Sequence, residues 1–325
     1  MSLSTGIKRS IQWLSYSSGA STFWAKRHAR MRIIQFHGVG DDDYPAEIFQ
    51  AQLKYLRKHL SIIPLESLVE KVANENRPAG NDIALTFDDG LRNHYTIVYP
   101  ILKRLDVPAT FFVCPGLIEG RAWLWNQEAS VRLRLLAGDE RAALCRELRA
   151  PSSDVEEIVA WMKTLASSPR TSAEEAIRGM TPDFKPTAED QERYGMMTWE
   201  ELSAMDPALV SIGSHTVTHP ILTTLSPVDL SYEVRESRRW LEERLQRPIK
   251  HFCYPNGDYN GAVLRCVRQC YGVAVTSQKG DIRLGDDLHS LRRVPTDGQL
   301  PALAWRLHEP AGVKGTYARL WGKSA

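Results

Sequence analysis

Ile83-Ala84-Leu85-Thr86-Phe87-Asp88-Asp89-Gly90 is a stretch of strand composition running into two adjacent carboxylates and a glycine. A helical pattern, Asn93–Leu105, and a further strand, Ala109–Cys114, follow it. Strand, turn, helix and strand in this order make the βα unit of a parallel sheet. Working outward, Arg32–Phe36 reads as a strand and Glu47–Leu60 as an amphipathic helix. Leu209–Gly213, His251–Tyr254, Gly272–Thr276 and Leu291–Val294 are later strands. Pro227–Leu245 reads as a helix with Leu230, Val234, Trp240, Leu241 and Leu245 on one side. The expected class is α/β, with a mostly parallel sheet or barrel.

One segment breaks the alternation. Residues 120–195 are rich in Arg, Glu, Ala and Ser and carry no convincing strand. Short helices are predicted at Ser130–Leu136, Asp139–Arg149 and Asp154–Leu165, with loops at Pro169–Ser172 and Thr181–Pro186. This is a helical insertion, placed to border a groove and set specificity.

The chain has 325 residues, 43% of them apolar and 25% charged, which excludes whole-chain disorder and a disulfide scaffold. The longest apolar run, around Val107–Ile118, is interrupted by two prolines and falls short of the ~18–20 residues of a membrane span. Charge is uneven. The first forty residues hold Lys8, Arg9, Lys26, Arg27, Arg30 and Arg32 and no acidic residue, so the rest of the chain is net acidic. Within this leader Ile7, Ile11 and Leu14 keep helical spacing, but no continuous apolar stretch of a secretory signal is present. The five cysteines, Cys114, Cys145, Cys253, Cys266 and Cys270, are odd in number and follow no metal-finger spacing. They read as free thiols in a reducing compartment, and the expected location is cytoplasmic. The leader then has two readings: residues 1–30 contact an anionic membrane surface peripherally, or they form a helix packed across the sheet. No nucleic-acid partner is expected.

Three elements carry chemistry. Asp88-Asp89-Gly90 sets two like charges at a strand end, where burial demands a neutralising cation, although a bare Asp-Asp-Gly also serves as a plain turn. Gly213-Ser214-His215-Thr216-Val217-Thr218-His219-Pro220 places two imidazoles four residues apart after another strand. An Asp and two His from separate strand ends make the three-ligand set of a catalytic metal site with open positions. His251-Phe252-Cys253-Tyr254-Pro255-Asn256-Gly257 is a strand entering a turn that presents backbone N–H groups at the same end.

Together and in this order, Thr86–Gly90, Ser214–Pro220 and Phe252–Gly257 resemble the motifs of the polysaccharide deacetylases, the NodB-homology enzymes of carbohydrate esterase family 4. Pro100–Val113 is similar to the segment that follows the family's first motif. Arg32–Gly40 is similar to the opening strand of the branch that acts in exopolysaccharide biosynthesis. The resemblance covers roughly residues 31–300 apart from the insertion. It implies an irregular (β/α)7-type barrel with its site at the strand C-terminal ends. It implies Asp89, His215 and His219 as metal ligands, Asp88 as catalytic base, and the backbone N–H of Asn256 in the oxyanion hole. The two imidazoles and one carboxylate make Zn2+ the default metal, with Co, Ni or Mn also permitted by the geometry.

Two departures from the family accompany the match. Cys253 stands where better-studied members have an Arg that orients the base, and Arg293, in Leu291-Arg292-Arg293-Val294-Pro295, is the candidate replacement. The late Leu-x-His motif that supplies the general acid has no clean match, which leaves His289 and His37 as candidates, His289 first. Trp125 and Trp199 are candidates for stacking on a sugar, with core packing as the other reading. The function expected is metal-dependent removal of an N-acetyl or similar acyl group from an amino sugar in a glycan or glycolipid. Alternatives are an inactive carbohydrate- or glycolipid-binding barrel and a deformylase of a lipid-linked sugar. The expected organisation is a basic, partly amphipathic segment (1–30), the deacetylase-like domain with its insertion (31–300), and a tail (301–325) docked by Trp305 and Trp321.

Overall fold

The structure, a computed structural model, describes residues 3–27, 30–74, 81–296 and 298–308. Eight strands run β1 (Arg32–Phe36), β2 (Ser61–Ile62), β3 (Asp82–Phe87), β4 (Ala109–Val113), β5 (Val210–Ser214), β6 (His251–Cys253), β7 (Val273–Lys279) and β8 (Leu291–Pro295). All their pairings are parallel. β1 pairs with β3 from Arg32↔Ile83 to Phe36↔Phe87, and with β8 through Ile34↔Val294. The sheet therefore closes on itself as a seven-stranded barrel, with the two-residue β2 as an extra strand beside the start of β3.

Alternation along the strands sorts the side chains. Ile34, Phe36, Leu85, Phe87, Phe111, Val113 and Phe252 face the helices in one large core. Ile33, Ala84, Phe112, Cys253, Val275 and Leu291 belong to the other set. Phe112 fills the barrel beside Gly213, where a Cβ would lie 2.5 Å from its ring. Helix Leu65–Ala73 joins this interior cluster through Leu65, Leu68, Val69 and Val72, and so closes the end where the strands begin. At the other end the same alternation brings in Gln35, Thr86, Asp88, Cys253 and Arg293, all buried. The polar residues are thus concentrated where the strands finish.

Several sequence expectations are refined. The helix expected over Asn93–Leu105 opens with a wider π turn, His94–Val98, before Tyr99–Leu105. Pro100 has no N–H for a bond to residue 96, and the widened turn accommodates that loss. The loop expected at Pro169–Ser172 is instead part of helix Ser167–Met180, because proline is tolerated in a first turn whose N–H groups have no intrahelical partner. The rest of the insertion forms helices Trp125–Leu135, Gly138–Leu148, Val155–Met162 and Ala188–Tyr194. It has its own core, including Leu133, Leu144, Ile158, Met162 and Ile177.

The C-terminal end differs from expectation at its start. Residues 300–308 are a helix, not a tail, with Leu303, Ala304 and Leu307 fully buried in the main core. Trp305 is partly buried there, and Trp321 lies outside the described residues. Residues 3–17 and 20–27 are helices, and the first lies on helix Leu300–His308. No helix among the described residues is long and apolar enough to cross a membrane.

His251, at the start of β6, gives the fold an acid dependence. Its burial lowers its pKa from 6.5 to about 4, with nearby Glu66 opposing and Lys250 adding to the shift. The unfolded chain therefore binds this proton before the folded one does. Its contribution to stability is complete above pH 6.5 and is lost as pH falls from 6.5 towards 4. Denaturant melts across that window should show stability falling with acid, and His251→Gln should flatten the slope.

Candidate active site

Asp88 and Asp89 follow β3 directly, and the backbone between them separates two neighbouring charges. Asp89 has φ 80° and Gly90 φ 77°. Gly90 is needed, since a Cβ there would lie 3.0 Å from Cβ of Val113 and 3.2 Å from its Cα. Asp88 continues the inward side of the strand. It is met by Arg293, whose Nη1 donates to Oδ1 and Nη2 to Oδ2, both at 2.7 Å. Arg293 is fully buried and also donates to the Thr276 carbonyl, Thr86 Oγ1 and Cys253 Sγ. Gln35 Nε2 adds a third donor to Asp88 Oδ2 at 2.9 Å. Burial alone would raise the pKa of Asp88. The bidentate guanidinium reverses that and holds the carboxyl well below the usual carboxylate range.

Asp89 faces the two imidazoles. His215 Nε2 and His219 Nε2 each lie 3.6 Å from Asp89 Oδ1. That is too long for a hydrogen bond. It is close to the ~3.4 Å between two donors that each sit ~2.1 Å from one ion at a tetrahedral angle. His215 Nδ1 donates to the Cys253 carbonyl at 2.7 Å, which leaves the Nε2 lone pair pointing at Asp89. Burial would raise the pKa of Asp89, but the surrounding imidazoles lower it to about 2. One carboxylate and two imidazoles converging at this spacing fit a divalent cation.

A second donor cluster, Asp88, His215 and Cys253, does not fit one as well. The charge of Asp88 is already balanced by the bidentate Arg293, with Gln35 as a third donor, and His215 Nδ1 is engaged by a carbonyl. Burial pushes the Cys253 thiol up, so it stays protonated.

The loop carrying the two histidines is braced from outside the barrel. Glu233, on helix Pro227–Leu245, accepts from Val217 N at 2.7 Å, Thr218 N at 3.0 Å and Thr218 Oγ1 at 2.6 Å. Thr216 (φ 68°) and His219 (φ 60°) hold left-handed backbone, and Thr216 Oγ1 accepts from His219 N. Sequence reading passed over Glu233. Its signal was a carboxylate set within the helix's buried stripe, between Leu230 and Val234.

The remaining candidates separate. His37 follows β1, is 59% exposed, and has Nε2 3.9 Å from Asp88 Oδ2. Asn256 (φ 59°) sits in the turn after β6 and lines the same cavity. His289 is not brought to this cavity. It precedes β8, so it lies at the opposite end of a parallel barrel, where its Nε2 bonds the Tyr271 carbonyl ahead of β7. Trp125 is buried in the insertion with Arg170 over its ring, and Trp199 donates to Glu119 beneath Arg244. Both are packing residues, and neither lines the cavity.

That cavity has a volume of about 650 Å³. The barrel contributes Asp88, Asp89, His215 and His219, and the insertion contributes Asn126, Gln127, Lys163 and Arg193. The side-chain oxygens of Asn126 and Gln127 are buried and have no hydrogen-bond partner.

A closed parallel barrel carries at its strand ends an Asp/His/His cluster able to hold a divalent cation and a second Asp clamped by Arg293. A family model described as polysaccharide deacetylase matches residues 75–274, more than half of the chain, and the chain belongs to that family. It is 20% identical over 279 residues to YxkH of Bacillus subtilis (strain 168), covering 83% of this chain and 74% of that one. Among solved structures, the deacetylase PplD of Streptococcus pyogenes in complex with acetate superposes with TM-score 0.59 at 21% identity, covering 87% of this chain and 99% of that one. IcaB from Ammonifex degensii also gives TM-score 0.59, at 19% identity, with 86% and 98% covered.

The Asp88–Arg293 pair is open to a direct test. Arg293→Ala leaves a buried carboxylate without its cation and should cost about 3–5 kcal/mol of stability in denaturant titrations. Asp88→Asn/Arg293→Met, which removes both charges, should cost clearly less than the sum of the single changes.

Proposed function

We propose that this protein is a metal-dependent hydrolase that removes the N-acetyl group from an amino sugar of a glycan or glycolipid precursor. The observation that carries this reading is the convergence of Asp89, His215 and His219 beside a second carboxylate held ionised by Arg293. Membership of the polysaccharide deacetylase family supports the class of bond cleaved. Asp89, His215 and His219 would hold the ion, with Zn2+ favoured by the two imidazoles. Once bound, the ion supplies Lewis acidity to a water and to the acyl carbonyl.

The chain's own residues do the rest. Asp88 is the base that takes the proton of the attacking water as its oxygen bonds to the acyl carbon. Arg293 and Gln35 keep Asp88 charged and fixed in direction. The backbone N–H of Asn256 donates to the oxygen that gains charge as the carbonyl becomes tetrahedral. The C–N bond then breaks, the acyl group leaves as a carboxylate, and the sugar nitrogen takes a proton to leave as an amine. His37, at the cavity edge, is the proposed donor of that proton, in place of His289. The missing motif arginine and the absent acid motif are the two sequence grounds for an inactive barrel, and the first concerns the partner of Asp88. Arg293 supplies a guanidinium to Asp88 from another strand, so that first ground loses its support. A formyl in place of an acetyl group would be handled by the same residues, and substrate assays separate the two. The five free thiols support the expectation of a reducing, cytoplasmic setting.

The unpartnered oxygens of Asn126 and Gln127 are acceptors for sugar hydroxyl groups. Asn126→Ala and Gln127→Ala should therefore raise KM several-fold with a smaller change in kcat.

The defining experiment loads the protein with Zn2+ and incubates it with N-acetylated sugar nucleotides, lipid-linked sugars and oligosaccharides, with products read by mass spectrometry. Loss of 42 mass units (about one acetyl replaced by a proton) and release of acetate are the expected result. Asp89→Ala and His215→Ala should lose both metal binding and turnover. Asp88→Asn should keep the metal and lose about 10²–10⁴ in kcat. Undiminished turnover by metal-stripped Asp89→Ala would sink the reading.

A further inference from the structure

Six of the large apolar side chains left exposed among the described residues lie between positions 7 and 24: Ile7, Ile11, Trp13, Leu14, Phe23 and Trp24. Trp13 and Leu14 are each 59% exposed, Phe23 58% and Trp24 48%. Helix Leu3–Ser17 is turned the opposite way to an ordinary surface helix. Its Ile7, Ile11 and Leu14 line faces solvent, while Gln12 is buried and Ser15 is bonded to Ser21. Helix Ala20–Arg27 adds Phe23 and Trp24, whose rings pack edge to face at 5.9 Å. Six large apolar side chains exposed on two successive short helices mark a site of interaction.

Charge selects the partner. The first forty residues contain no carboxylate side chain. Of their basic residues, Arg30 and Arg32 pair with Asp281 and belong to the barrel body. Lys8 and Arg9 are exposed on the same helix as the apolar line. With Trp13, Leu14 and Arg306 they border a cavity of about 670 Å³ between that helix and helix Leu300–His308. This cavity shares no residue with the active cavity.

We propose that this face docks on an anionic lipid bilayer. Trp13, Leu14, Phe23 and Trp24 enter the boundary between headgroups and acyl chains, and Lys8 and Arg9 lie at the level of the phosphates. Tryptophan suits that boundary because an apolar ring carries one polar N–H. The docking needs no turnover and stands independently of the proposed reaction. It would hold the enzyme at a surface that presents lipid-linked sugars.

The test sediments the full-length protein with vesicles of phosphatidylcholine alone and of phosphatidylcholine mixed with phosphatidylglycerol. Pelleting with the mixed vesicles, little with the neutral ones, and release by added salt are expected. Lys8→Glu/Arg9→Glu should weaken binding roughly fivefold per basic residue removed. Trp13→Ser/Leu14→Ser/Phe23→Ser/Trp24→Ser should abolish it while the melting temperature stays near the parent's. If the fourfold variant does not fold, the charge variant decides alone. Absence of parent binding to either vesicle, or equal binding by parent and charge variant, overturns the proposal. So does a dimer of the parent in sedimentation velocity that the fourfold variant loses, because the face would then join two copies. A lower melting temperature of the fourfold variant without vesicle binding by the parent also overturns it, because residues 309–325 or another part of the chain would then cover the face.

Discussion

The polar end of the barrel depends on one interaction, the bidentate pair between Arg293 and Asp88. Two adjacent carboxylates inside a parallel barrel would repel each other and each would lose its hydration. The structure gives them different surroundings. Asp88 is neutralised by a buried guanidinium from β8, five strands away in chain order. Asp89, turned aside by its positive φ, faces two imidazoles. The charge that burial would suppress is thereby kept on both, which the proposed chemistry requires. The guanidinium itself is held by the Thr276 carbonyl and Thr86 Oγ1, so its direction is fixed by the barrel and not by solvent.

Around this pair, unfavourable backbone is concentrated. Asp89, Thr216, His219 and Asn256 are non-glycine residues at positive φ, and all four belong to the turns that follow β3, β5 and β6. Strain of this kind persists only where neighbouring contacts over-determine it. Glu233 does that for the histidine loop, with three hydrogen bonds accepted from it by one buried carboxylate. The two histidines are therefore positioned by a helix outside the barrel, and their placement does not depend on loop conformation alone.

The barrel and its attachments divide the work. The closed sheet and its apolar plug make a rigid frame. The insertion has a separate core and adds the wall that carries Asn126, Gln127, Lys163 and Arg193. A change in the insertion can alter what enters the cavity without disturbing the pair beneath it. The two N-terminal helices add a surface at a third place, bordered by helix Leu300–His308, and their apolar side is turned to solvent.

Much of this was legible in the linear chain. Local patterns carry strands, helices and the motif residues Asp88, Asp89, His215, His219 and Asn256, because side-chain period and strand-end turns are short-range properties. The expectation that Arg293 would stand in for the arginine replaced by Cys253 also came from the sequence. What it lacked was a reason to prefer His37 over His289, since both stand next to predicted strands. The parallel topology separates them: one follows β1, the other precedes β8, and the barrel's length lies between. Glu233, Gln35 and the oxygens of Asn126 and Gln127 were not visible in any motif, because their roles come from contacts between distant segments. The sequence by itself determined the class of fold and the residues able to hold a metal and a proton. Tertiary structure decided which of them meet, because only closure of the sheet brings Asp88, Cys253 and Arg293 within bonding distance of one another.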